Sequence, residues 1–166
     1  MNMRVLGIDP GTATTGFGVV DLNGEEIKVI HWGLIETDKI DSPAGRLKII
    51  FDEMLVLLKD HQPDVLAIEK LFFANNAKTA IRVGQAQGVM LLSASTYGVP
   101  VVEYSPMTIK KMITGSGRAD KKMVQQHVRR HLGSRVRSAK HKRTHFDNAA
   151  DGLAVALCHI MSQTKD

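Results

Sequence analysis

Cysteine is nearly missing from this chain: Cys158 is the one thiol in 166 residues. No disulfide framework can be drawn from a single thiol, and a reducing compartment suits it. Cys158 lies in an apolar run and reads as a small core residue. No Cys pair is available for zinc, and His141, His145 and His159 are too scattered to replace one. No apolar stretch is long enough to span a membrane, and the start, Met1 to Gly7, is too short for a secretory signal. The expectation is a cytosolic protein with no membrane partner. There is no internal repeat and no linker, so residues 1–166 read as one domain, long enough to bury a core without staples. Gly11-Thr-Ala-Thr-Thr-Gly16 lacks the Gly-Lys-Ser/Thr that a Walker phosphate loop requires.

Acid is the other scarce ingredient, and its scarcity is local. Lys110 to Arg143 carries twelve Lys/Arg and one acid, Asp120. That segment is +11 in a chain whose net charge is +5, leaving the remainder at −6. Such asymmetry points to a polyanion held against one side of an otherwise acidic domain. A solvated loop kept soluble by its charge is the plainer alternative.

The hydrophobic pattern gives the order βββ-α-β-α-β-α-α-α. Arg4–Asp9, Gly16–Val20 and Ile27–Ile35 read as an antiparallel meander, with Asn23-Gly24 as a two-residue hairpin signal. Ser42-Pro43 starts a helix, an N-cap followed by Pro at the first helical position. Leu47, Ile50, Phe51, Met54, Leu55 and Leu58 supply its apolar stripe, and Pro63 stops it. Val65–Ile68 is a short buried strand. Ala77–Thr96 is a helix with Gly84 and Gly88 on one face, a spacing that lets another element, or a second subunit, approach closely. Val99–Glu103 is a fifth strand. Helices over Ser105–Ile113 and Asp120–Leu132 follow, then a basic, aperiodic stretch at 133–144 expected to be a mobile loop. A last helix from about Asp147 to Ile160 turns Ala150, Leu153, Ala154, Leu157 and Cys158 inward. The fold class is α/β, a five-stranded mixed sheet with helices on both faces.

Three acids stand out against this frame. Asp9 and Glu69 each close an apolar strand, where a buried carboxylate costs stability unless it has a partner. Strand ends are also where open α/β sheets carry their sites. Asp151 sits in the first turn or two of the last helix, beside Ala149, Ala150 and Gly152. Taken singly, Asp151 suits a helix-terminus charge and Asp9 a turn-former; taken together, the three suit a metal centre. Hard oxygen donors fit Mg²⁺, with Mn²⁺ as an alternative. Two such ions about 4 Å apart can drive phosphodiester hydrolysis.

Gly7-Ile-Asp-Pro-Gly11, Ala67-Ile-Glu69, Gly84-Gln-Ala-Gln-Gly88 and Ala149-Ala-Asp-Gly-Leu-Ala154, in this order, resemble the RuvC-type Holliday junction resolvases. The likeness spans nearly the whole chain. It implies an RNase H-like fold, a homodimer, and paired symmetric nicks across a four-way DNA junction in bacterial recombination and repair. It also implies work beside the RuvA and RuvB branch-migration proteins. On this resemblance Asp9, Glu69 and Asp151 are the metal-binding catalytic acids, with two ions when DNA is bound. The family's fourth active-site position, commonly Asp, is Asn148 here, preceded by Asp147. Asn keeps the shape and loses the charge, so it cannot serve as a base.

The resemblance also places Lys110 and Lys121 near the scissile phosphate. Lys122, Arg129, Arg130, Arg135, Arg137 and Lys140 read as phosphate contacts. Of the pair Phe72 and Phe73, one is expected to be exposed and to stack at the crossover, with Phe72 the better match. Three other readings compete: a ribosomal-RNA-processing nuclease of the YqgF kind, an actin-like kinase or ATPase, and a junction binder silenced by Asn148.

Overall fold

A computed structural model describes residues 1–71, 77–133, 136 and 143–164, of 143–148 the backbone alone. Five strands, β1 (Asn2–Asp9), β2 (Thr14–Asn23), β3 (Glu26–Glu36), β4 (Val65–Glu69) and β5 (Val101–Tyr104), form one sheet in the order β3-β2-β1-β4-β5. β1, β2 and β3 pair antiparallel, and β4 and β5 join β1 in parallel. This is the mixed sheet expected from the sequence. The hairpin loop falls one residue later than the Asn-Gly signal suggests: Asn23 still pairs with Glu26, and Gly24, at φ +63°, takes the left-handed position. β5 begins two residues later than expected, at Val101.

The helices are α1 (Pro43–His61), α2 (Ala77–Thr96), α3 (Pro106–Thr114), α4 (Lys121–Leu132) and α5 (Arg143–Gln163). Ser42, Ser105 and Asp120 cap α1, α3 and α4, each side chain accepting from a backbone N–H three residues on, which satisfies a donor the first helical turn leaves open. α1 ends on Gln62 in the left-handed conformation at φ 46°, immediately before Pro63. Among the described residues no helix is long and apolar enough to cross a membrane.

Side chains alternate across the sheet and separate two cores. Leu6, Ile8, Val19, Leu66 and Ile68 pack with Ile50, Met54 and Leu58 of α1 and Met90 of α2. Val5, Val20, Leu22, Val65 and Ala67 pack with α3, α4 and α5. Period-two alternation then fixes the direction of the strand ends. Asp9 follows Val5 and Gly7 on the α5 face, and Glu69 follows Val65 and Ala67 on the same face.

α5 starts four residues earlier than its hydrophobic pattern suggests, at Arg143. Asp151 is therefore more than two turns inside the helix, not in its first turn or two, and cannot be a helix-terminus charge. The basic stretch expected at 133–144 falls mainly outside the described residues; its last two, Arg143 and Thr144, are helical.

α5 also lies unusually close to the sheet. A Cβ on Gly7 would stand 2.3 Å from the Gly152 carbonyl oxygen and 2.4 Å from the Ala156 nitrogen. A Cβ on Gly152 would stand 2.6 Å from the Phe17 Cα. Backbone atoms cannot retreat as a flexible side chain can. Gly7→Ala should therefore lower unfolding stability by about 2 kcal/mol or more, through overpacking. Urea unfolding checks this; an unchanged midpoint would mean that α5 does not sit so close.

Candidate active site

The register of β1 on β4 sets Ile8 beside Ile68, so the next residues, Asp9 and Glu69, leave the sheet side by side. α5 crosses above them and brings Asp151 to the same place. A cleft of about 290 Å³ is lined by Asp9, Glu69 and Asp151, by Lys110 and Lys121, and by Pro106, Ile109, Val124 and Ala154. The strands supply two acids, α5 the third, and α3 and α4 the two lysines.

The electrostatics are those of crowded anions. Burial, then the charges of Glu69 and Asp151, push the Asp9 carboxyl up to about 8, against partial relief from Lys121. Burial and Asp151 push Glu69 up to about 7, opposed by Lys110 and Lys121. Lys121 Nζ donates to Asp151 Oδ2 at 2.8 Å. Among the described residues no three His, Cys, Asp or Glu side chains are drawn up into a ready-made metal cage. The donor set nevertheless fits a hard divalent cation in kind: three carboxylates in one cleft, two of them raised by burial and by their neighbours' negative charge.

Other residues singled out from the sequence fall as follows. Lys110 and Lys121 belong to the cleft, while Lys122, Arg129 and Arg130 lie exposed on α4. Asn148 is on α5, one turn before Asp151, described by its backbone alone. Phe72, Phe73, Arg135, Arg137, Lys140 and His141 lie outside the described residues. Cys158 is buried, as expected. His159 is buried too, with Nδ1 2.8 Å from the Tyr104 hydroxyl, and burial lowers its pKa.

Sequence reasoning missed a second, larger cavity of about 970 Å³ on the α1 and α2 side, which includes Lys39, Arg46, Lys78 and Arg82. Its cations come from three separate segments, so no charge run announces it. Lys78 and Arg82, four apart on α2, were the one available signal.

The sequence pattern of the family described as Crossover junction endodeoxyribonuclease RuvC matches residues 5–159. The chain belongs to the RuvC family. The RuvC protein of Caldicellulosiruptor saccharolyticus is 45% identical over 98% of this chain and 95% of its own length. That of Thermosipho melanesiensis is 47% identical over 94% of this chain and 96% of its own. Thermus thermophilus RuvC in complex with a Holliday junction substrate superposes with a TM-score of 0.86 at 33% identity, covering 97% of this chain and 94% of that one. The yeast mitochondrial Holliday junction resolvase, at 16% identity and a TM-score of 0.73, shares the fold. The RuvC resemblance and the RNase H-like fold read from the motifs are thus borne out.

The raised carboxyls have a consequence for stability. An unfolded chain releases the Asp9 proton near 3.8, the folded protein only near 8. Between those values the folded state binds more protons, so this group makes stability fall as pH rises through the window. Asp9→Asn should remove part of that decline and unfold at a higher temperature than the parent near pH 8. Thermal unfolding in chelator from pH 5 to 8 checks it; parallel curves would show that Asp9 is not held protonated.

Proposed function

We propose that this protein is a Holliday junction resolvase whose phosphodiester hydrolysis depends on Asp9, Glu69, Asp151 and divalent metal, with Mg²⁺ the first choice and Mn²⁺ the second. The observation that carries the reading is the convergence of the three acids, from two strands and a helix, in one cleft edged by Lys110 and Lys121. Asp9 and Glu69 would hold the metal, with Asp151 released from Lys121 to join them. Bound ions of this kind lower the pKa of a water and offset charge on the leaving oxygen. The chain's own residues do the rest. Lys110 and Lys121 place ammonium groups where a phosphoryl group gains charge in the transition state. Lys122, Arg129, Arg130, Arg135, Arg137 and Lys140 hold the DNA by its phosphates, giving affinity without sequence readout. Phe72, with Phe73 beside it, stacks on a base at the crossover. Asn148 contributes shape and no charge, so proton transfer does not pass through it.

The products are paired symmetric nicks that leave ligatable ends, in recombination and repair beside RuvA and RuvB. Symmetric cutting needs two active sites, which a homodimer supplies. Gly88 of α2 faces open space, with nothing within 4 Å of its would-be Cβ, and Leu92, one turn further along the same face, is exposed at 59%. This face suits a second copy of the chain. Leu92→Glu should make the protein monomeric in sedimentation at micromolar concentration without unfolding it; a dimer that persists would move the interface elsewhere.

Asp9→Asn or Glu69→Gln should lower cleavage of a mobile four-way junction by on the order of 10²-fold or more, with binding largely kept. The assay is a labelled junction with and without Mg²⁺, run beside Asn148→Asp. Normal cutting by either acid variant would overturn the metal assignment. Cutting by Asn148→Asp alone would leave the parent chain a junction binder.

A further inference from the structure

The cavity on the α1 and α2 side has a composition that the cleavage cleft does not explain. It is lined by Lys39, by Arg46 of α1, and by Lys78 and Arg82 of α2, against one acid, Asp41, and by the β1–β2 turn at Gly11–Thr14. Among the described residues none of the four cations is in an ion pair. Lys39, Lys78 and Arg82 are exposed and Arg46 is half-buried.

The turn is a firm wall. Thr15 is fully buried and donates to the Gly11 carbonyl at 2.8 Å. Thr37 donates to the Thr12 carbonyl at 2.6 Å, and its N–H to that of Ala13 at 3.0 Å. Arg46 Nε donates in turn to Thr37 Oγ1 at 2.7 Å. One guanidinium is thereby fixed in place before anything binds, and a fixed cation loses little freedom on meeting an anion.

The turn starts two residues after Asp9, so this cavity and the catalytic cleft open at the same edge of the sheet, on opposite faces. A polyanion engaged in the cleft can continue across that edge. At about 970 Å³ the cavity is far too wide to grip a lone phosphate ion, and its cations are spread over three segments. That distribution fits an extended chain of phosphates.

We infer that this cavity is a second DNA-backbone site, in which Arg46, Lys78 and Arg82 hold phosphates away from the one being cut. The inference rests on the junction-resolvase reading and adds to it an anchor outside the cleft and outside the basic segment after Lys110. Lys78 and Arg82 touch neither the acids nor the cleft lysines, so their part is to position the DNA.

The experiment measures binding of the full-length protein to a four-way junction and to a linear duplex across a salt series, in chelator. It compares the parent, the double variant Lys78→Ala/Arg82→Ala, and Lys122→Ala as a control on the other basic surface. Single-turnover cleavage at saturating protein is measured in parallel. The double variant should flatten the salt slope for the junction by about 2 units, with affinity down roughly tenfold or more at moderate salt. Cleavage at saturation should stay within about threefold of the parent, a split that damage to the active site would not give. Circular dichroism unchanged from the parent establishes that the double variant is folded; if it is not, charge-reversal at Arg82 alone, Arg82→Glu, is read in the same way. An unchanged slope in a folded variant, while the parent binds and cuts and Lys122→Ala loses its own unit, would overturn the second site and leave the cavity to an acidic protein partner. A parent that binds neither DNA would overturn both this site and the resolvase reading.

Discussion

The contact between α5 and the sheet is the constraint on which the site depends. Gly7, Gly16 and Gly18 leave a trough on one face of β1 and β2, and Gly152 with Leu153 lies in it. A helix normally packs on a sheet through a layer of side chains; here backbone meets backbone. The carboxylate of Asp151 is thereby carried down to the level of Asp9 and Glu69, which project from the sheet on that face. Leu153, Leu157 and Ile160, all fully buried, hold the helix there, each contributing about 1.5–3 kcal/mol on removal from water. The energy that secures the helix is apolar; the glycines decide how close it comes.

That closeness has an electrostatic cost. Asp9 and Glu69 are desolvated and repel Asp151, and both carboxyls are raised well above their ordinary values. Lys121, set just after the N-cap of α4, answers only part of this through its bond to Asp151. A site whose acids are short of positive charge is poised to accept a cation, since binding one relieves the repulsion that folding imposed. Sites that carry catalysis often show this local frustration, offset by a well-packed core elsewhere.

Most of the framework was legible in the residues. The meander, the cap at Ser42 and the full extent of α2 follow from alternation, turn residues and helical spacing, whereas Ser105 and Asp120, read as the first residues of their helices, prove to be the caps. The acids at the ends of β1 and β4 were legible because a carboxylate that closes an apolar strand is costly there unless a cation or a donor meets it. The start of α5 was not. Its first turns, Arg143 to Asn148, are polar apart from Phe146 and carry no hydrophobic period, so nothing local separates them from a loop. Lys39, Arg46, Lys78 and Arg82 were missed for a related reason. A run of charge is visible along a chain, whereas a cavity assembled from α1, α2 and a turn is not.

What residue order alone settles is which residues of a strand lie on the same side of it, because side-chain direction alternates with position whatever the surroundings. Asp9 therefore shares a face with Val5 and Gly7, and Glu69 with Val65 and Ala67, and α5 is apolar enough to be buried. Packing between segments settled the rest: that the two acids share one face through the register of β1 on β4, that α5 covers this face, that Asp151 stands over them paired to Lys121, and that a second basic cavity opens at the same sheet edge. Strand order, helix placement and the depth of the glycine contact are settled by packing between segments from opposite ends of the chain, as Gly7 and Gly152 are. No local preference encodes a distance of that kind.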